Sequence, residues 1–129
     1  MLFTSLLEFS DLGLFVLRLA VGIIFIFHSI PKLKNPKGMA QGMGKPNMSG
    51  VILLLGVVEL FSGLFIIFGF LTQLAAIALG IILVSAIFMK VSKWHVPFVA
   101  MDKTGWEFDL ILLSANAAIL FTGGGAIGI

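Results

Sequence analysis

GVVELFSGLFIIFGFLT, residues 56–72, is the stretch on which the reading of the whole chain turns. It is apolar over nearly the roughly 20 residues that a helix needs to cross about 30 Å of hydrocarbon. One carboxylate, Glu59, stands inside it, with Ser62 and Gly63 a turn further on. Even a mild insertion scale charges about 2.5–3.5 kcal/mol for an ionised group at mid-membrane, so Glu59 needs a partner or a task.

The surroundings of this stretch say that lipid is its solvent. Of 129 residues, 60% are hydrophobic and 11% charged, against roughly 45–50% and 25% in soluble domains. A core of this size cannot hide such an excess from water. The net charge of +2 is small and comes from lysines in short loops, which argues against a nucleic-acid partner. There is no cysteine, which removes disulfides, thiolate nucleophiles, Cys-ligated zinc and iron–sulfur clusters.

Four apolar runs follow, at about 12–30, 50–68, 71–91 and 106–122. Period-two alternation is absent, so a barrel is not expected. The expected fold is an all-α membrane protein, with residues 1–129 forming a single antiparallel bundle of four transmembrane helices. Pro31 is expected to close the first run, and Gly123, Gly124 and Gly125 the last, leaving a flexible tail. Gly69 suits a left-handed helix end, and Thr72 suits the cap of the next helix. The segment 31–49, PKLKNPKGMAQGMGKPNMS, mixes Pro, Gly and Lys in a way no regular span tolerates. Trp94 and Trp106 are expected to be interfacial anchors. Residues 1–11 hold Glu8 and Asp11 but no basic residue, so they do not read as a signal peptide and the first span is expected to be retained.

All seven lysines lie in the first and third inter-span regions: Lys32, Lys34, Lys37, Lys45, Lys90, Lys93 and Lys103. The positive-inside bias then places those loops in the cytoplasm and both termini outside, in the cell membrane.

Counting residues from the ends at about 1.5 Å each puts Arg18, Glu59 and Asn116 at similar depth. An Arg18–Glu59 pair, with Asn116 adding a hydrogen bond, is the expected intramembrane polar site. It reads either as a packing device or as the lining of a pocket for a polar head group or proton. Gly56, Glu59 and Gly63 share one helix side, where small residues admit a neighbouring backbone. Ala76 and Gly80 form a small-xxx-small pair on the third span. A second polar layer, on the lysine side, gathers His28, Lys32, Lys90, Glu107 and Asp109, and His28 beside a carboxylate could relay protons. No metal site is expected. Two histidines, one of them in a loop, make a poor haem site. No nucleophile elbow, phosphate loop or dinucleotide fingerprint is present.

These landmarks carry a resemblance. RLAVGIIFIFHSIPKL (18–33), GVVELFSGLFIIFGFLTQLAA (56–76), Lys90 and GWEFDLILLSANAAIL (105–120) resemble the DoxX family of small four-helix membrane proteins. The chain departs from the family at Ser29, where a glycine is expected after the histidine, and at Lys90, where a histidine is common. The resemblance implies a four-helix bundle. Some relatives are subunits of thiosulfate:quinone oxidoreductase or accompany terminal quinol oxidases. Others are linked to oxidative-stress complexes, and distant ones chaperone receptor assembly. Carried over, the landmarks are Arg18, His28, Lys32, Glu59, Thr72 and Glu107.

The expected function is therefore a small integral-membrane subunit of a respiratory or redox assembly, supporting quinone or proton handling. It is read as an accessory subunit rather than a stand-alone enzyme. No covalent cofactor is implied, and quinone is the candidate non-covalent one. Expected partners are the lipid bilayer and other membrane subunits or further copies. A non-catalytic assembly factor for another membrane protein and a small-solute carrier are the alternatives.

Overall fold

A computed structural model describes residues 2–128 and is helical throughout its regular parts. A 3₁₀ segment, Thr4–Phe9, leads into α1, Ser10–Lys34. A short helix α2, Pro36–Gly42, and a 3₁₀ turn, Pro46–Met48, precede α3, Ser49–Phe68. Two further helices follow, α4 at Thr72–Ser92 and α5 at Trp106–Thr122. In hydrocarbon only intrasegment hydrogen bonding satisfies the backbone, and the continuous apolar runs supply the lipid-compatible surface. Three stretches are long and apolar enough to cross a membrane: Thr4–Lys34, Pro46–Phe68 and Thr72–Ser92. The remaining long helix, α5, has 17 residues. The chain is a multi-pass membrane protein.

The four long helices pack in a ring, in the order α1, α3, α4, α5 and back to α1. The two most extensive interfaces join α1 to α3 and α4 to α5. Val21, Phe25, Ile66, Leu79, Leu83, Leu112 and Ile119 fill the centre. Hydrophobic side chains such as Phe27, Leu54, Ile81 and Phe121 stay exposed around the outside, as a lipid-facing surface requires.

Close backbone approach fixes the register of α1 against α3. A Cβ on Gly63 would lie 2.9 Å from the carbonyl oxygen of Gly22, and one on Gly22 would lie 2.7 Å from that of Gly63. The two helices therefore touch through bare backbone, as small residues permit in membranes. Gly56 makes a second notch, where a Cβ would lie 2.9 Å from Lys32 Cβ.

Two expected boundaries shift. Pro31 does not end the first helix, which runs on to Lys34. A proline one turn from a helix end forfeits one hydrogen bond, to the Phe27 carbonyl, while the turns on either side stay intact. The loop 31–49 also holds structure of its own: Asn35 Oδ1 accepts from Gly38 N at 3.0 Å and starts α2 behind Pro36, and α2 packs on α3.

The α3–α4 turn bears out one half of its expectation. Gly69 takes φ +76°, and Phe70 N bonds back to Phe65 O at 2.9 Å. Thr72 does not cap α4. Its Oγ1 donates to Gly123 O at 2.7 Å, because the end of α5 lies beside it.

The tail is packed rather than loose. Gly123, Gly124 and Gly125 all adopt positive φ, which folds the chain back over the bundle end. Ala126 N donates to Asp11 Oδ1 at 3.0 Å, and Gly124 and Ile127 carbonyls accept from Arg18. At the opposite end, Trp106 packs edge-on to Phe98 at 4.5 Å, while Trp94 is exposed.

Candidate functional site

Arg18, Glu59 and Asn116 are all buried, with 1%, 2% and 2% of their surface exposed. They do not form one site. The Gly22–Gly63 contact sets the antiparallel register, and it places Arg18 beside the end of α3 instead of beside Glu59. Residues 59 and 66 are separated by about 10 Å along a helix. The depth estimate failed because it measured each span from its own ends, whereas the glycine notch fixes how the spans slide past each other.

Arg18 is held by the α3 end and the tail. Its Nε donates to Ile66 O at 2.8 Å and its Nη2 to Ile67 O at 3.0 Å. Nη1 donates to Gly124 O at 3.3 Å and to Ile127 O. The Ile66 and Ile67 carbonyls belong to the last turn of α3, which cannot satisfy them internally, and the other two belong to the tail beyond α5. The negative pole of the α3 dipole thus faces the guanidinium, which also lies 5.4 Å from the Phe15 ring centroid. Arg18 is a multi-point clamp on the α3 end and the tail.

Glu59 pairs with Lys32. Lys32 Nζ lies 2.8 Å from Oε1 and 2.9 Å from Oε2. Gly56 lets the base of the lysine lie against α3, and the flexible stem carries the ammonium to the carboxylate one turn along.

The lysine end holds a second pair. Lys90 Nζ lies 2.7 Å from Asp109 Oδ2 and 3.4 Å from Thr104 O. The expected polar layer of His28, Lys32, Lys90 and Asp109 therefore assembles, and Glu59 joins it from α3. Each ion pair belongs to one tightly packed helix couple, α1–α3 or α4–α5. His28 lies close to both pairs. It stacks on Phe108 with ring centroids 5.7 Å apart, and the charges of Lys32, Glu59, Asp109 and Lys90 all act on it. The imidazole is exposed at the α1–α5 seam.

Glu107 falls outside this cluster. It is exposed and makes no ion pair among the described residues. Adjacent positions on α5 diverge by about 100°, so Phe108 meets α1, Asp109 meets α4 and Glu107 is turned away. Ser29 fits the buried position opposite by folding its hydroxyl onto Ile26 O at 2.6 Å.

Asn116 serves the α4–α5 interface, donating from Nδ2 to Ala76 O at 2.6 Å. Three contributors had gone unrecognised in the sequence. Phe108 looked like any lipid-facing aromatic. Asp11 lay outside the spans. Gly22 had one signal, its i, i+4 spacing from Arg18. Among the described residues no group of three or more His, Asp or Glu could hold a metal ion.

Comparison with known proteins bears on this geometry. The DoxX family model matches residues 13–91. A Bacillus subtilis (strain 168) protein carrying the name "Putative oxidoreductase CatD" is 28% identical over 114 residues, spanning 88% of this chain and 81% of that protein. No solved structure matches the chain.

Proposed function

This chain belongs to the DoxX family, and on that footing we propose that it is a small integral-membrane subunit of a respiratory or redox assembly. It supports quinone or proton handling at the lysine end. All four long helices cross the cell membrane as one domain, with the lysine-rich loops in the cytoplasm and both termini outside. The observation that carries the reading is His28, close to both the Lys32–Glu59 and Lys90–Asp109 pairs and open at the α1–α5 seam.

The residues suit that task. Imidazole gains and loses a proton near neutrality. Each lysine ammonium has three hydrogens, and Lys32 and Lys90 commit two each to bonds already described. One donor on each ammonium and the imidazole N–H suit the two carbonyl oxygens of a quinone head group, while Phe108 offers an aromatic face. The quinone would supply the electron chemistry, since the chain has no redox-active side chain of its own beyond Met and Trp. The two carboxylates hold the lysines in place and balance their charge. The oxidoreductase name borne by the Bacillus relative supports the same direction.

Native mass spectrometry of the tagged protein, gently extracted from its own membranes, tests this. The expected result is a retained quinone-sized mass or a fixed ratio to respiratory subunits. Replacing His28 by Gln is then expected to lower quinone-linked turnover by about a hundredfold, the low end of typical general acid–base contributions, with the assembly intact. A ligand-free chain bound to an unrelated membrane protein would overturn the redox reading in favour of an assembly factor.

A further inference from the structure

The α4–α5 seam carries a groove that the lysine-end cluster does not use. Ala76, Gly80 and Val84 on one side and Leu113, Asn116 and Leu120 on the other help enclose about 400 Å³. It is open beside Ile81, which is exposed among the lipid-facing residues. Small residues make the space. Gly80 lies across from Asn116, and a Cβ there would come 3.2 Å from Asn116 Nδ2.

Asn116, which lines this groove, has an unmet hydrogen-bond acceptor. Asn116 is 2% exposed, and Nδ2 is engaged with Ala76 O. Its Oδ1 has no partner, unlike every other buried side-chain nitrogen or oxygen among the described residues. A buried acceptor left unpaired is costly, and acyl chains offer no donor to relieve it.

We propose that this groove binds a membrane-borne amphiphile, with its apolar body along the seam and a hydroxyl that donates to Asn116 Oδ1. The walls exclude charge because they are almost wholly aliphatic. The acceptor selects O–H over ketone, ester or ether, which bring only further acceptors. From Ala76 to Ser85 the groove runs about 14 Å along α4, room for an extended chain or a small ring system. Oδ1 is itself covered, so in this proposal the hydroxyl reaches it as α4 and α5 part beside Gly80, which carries no side chain. The site shares no residue with the lysine-end cluster and stands independently of the redox reading.

The test uses the full chain in phosphatidylcholine nanodiscs with a diazirine-bearing long-chain alcohol and its methyl ether as photolabels. The alcohol is expected to label the groove segments 76–85 and 113–120 about fivefold more than the ether does, the worth of one ordinary hydrogen bond. Asn116→Leu should abolish that difference. Gly80→Leu, which fills the groove and keeps the amide, should abolish groove labelling by both. Equal labelling by alcohol and ether, or label spread evenly over all the helices, overturns the proposal. So does crosslinking of two chains through the groove, which would make a second copy the occupant. If Asn116→Leu does not stay monodisperse, the alcohol–ether ratio on the unaltered chain decides alone.

Discussion

Lys32 Nζ contacts both carboxylate oxygens of Glu59, at 2.8 and 2.9 Å, across the α1–α3 interface. The carboxylate side chain is 3% exposed and the lysine side chain 19%, so removing one partner strands the other in a poorly solvated place. Lys32→Met or Glu59→Gln alone is expected to destabilise the protein by about 3–5 kcal/mol. The double replacement Lys32→Met with Glu59→Leu should recover at least half of that. Denaturation in detergent micelles, followed by circular dichroism, measures both. If the single variants unfold like the parent, the pair is not stabilising the bundle.

Arg18 predicts a different pattern, because its partners are carbonyls rather than a carboxylate. Arg18→Lys should not rescue Arg18→Met, since one ammonium cannot reproduce the planar fork. Both should free the tail. Hydrogen exchange at the Ala126 amide, now held by Asp11, is expected to accelerate about thirtyfold, matching about 2 kcal/mol from several lost hydrogen bonds. Unchanged exchange would mean that the glycine-rich turn holds the tail without the clamp.

The glycine contact gives a paired comparison. A methyl at Gly22 or Gly63 meets facing backbone, whereas one at Gly13 meets nothing within 4 Å. Gly22→Ala and Gly63→Ala should each cost about 1–3 kcal/mol, the usual range for overpacking. Gly13→Ala should be neutral or mildly stabilising. Equal effects at the three positions would contradict the close approach of α1 and α3.

Lys90 and Asp109 can be exchanged as a test of the second pair, whose atoms lie 2.7 Å apart. Lys90→Asp alone should destabilise strongly, by about 3 kcal/mol or more, by placing two carboxylates together. Lys90→Asp with Asp109→Lys should restore much of the loss. The restored pair would still differ around His28, so quinone-linked turnover is expected to recover less than stability does. Full recovery of both would make the orientation of that pair irrelevant to function.

Thr72→Val removes one hydrogen bond, from Oγ1 to Gly123 O, and should cost about 1 kcal/mol. Gln73, which donates to Leu120 O at 2.9 Å, keeps α4 and α5 together, so the unfolding transition should remain cooperative. Loss of cooperativity would show that Thr72 alone ties the end of α5 to the bundle.

Much of the architecture was legible because hydrophobic length and turn chemistry are local properties. The apolar runs marked the helices, and 106–122 coincides with α5. Gly69 marked the α3–α4 turn through its backbone freedom. The lysine-end layer was legible in part, since charges near helix ends cluster whatever the register. Ion-pair partners were not legible. Arg18, Lys32 and Glu59 could be combined in more than one way, and only the Gly22–Gly63 contact chooses among them.

The sequence by itself determined that the chain folds into helices in lipid, that Gly69 and Gly123 end two of them, and that charges within the spans demand neutralisation. Tertiary structure decided how that demand is met: Glu59 by Lys32, Asp109 by Lys90, Arg18 by carbonyls of the α3 end and the tail. The physical reason is one of range. Burial and helix formation follow from each segment's own composition, whereas pairing depends on how far one helix slides along another. Between α1 and α3 a bare-backbone contact sets that distance, and no segment carries it alone.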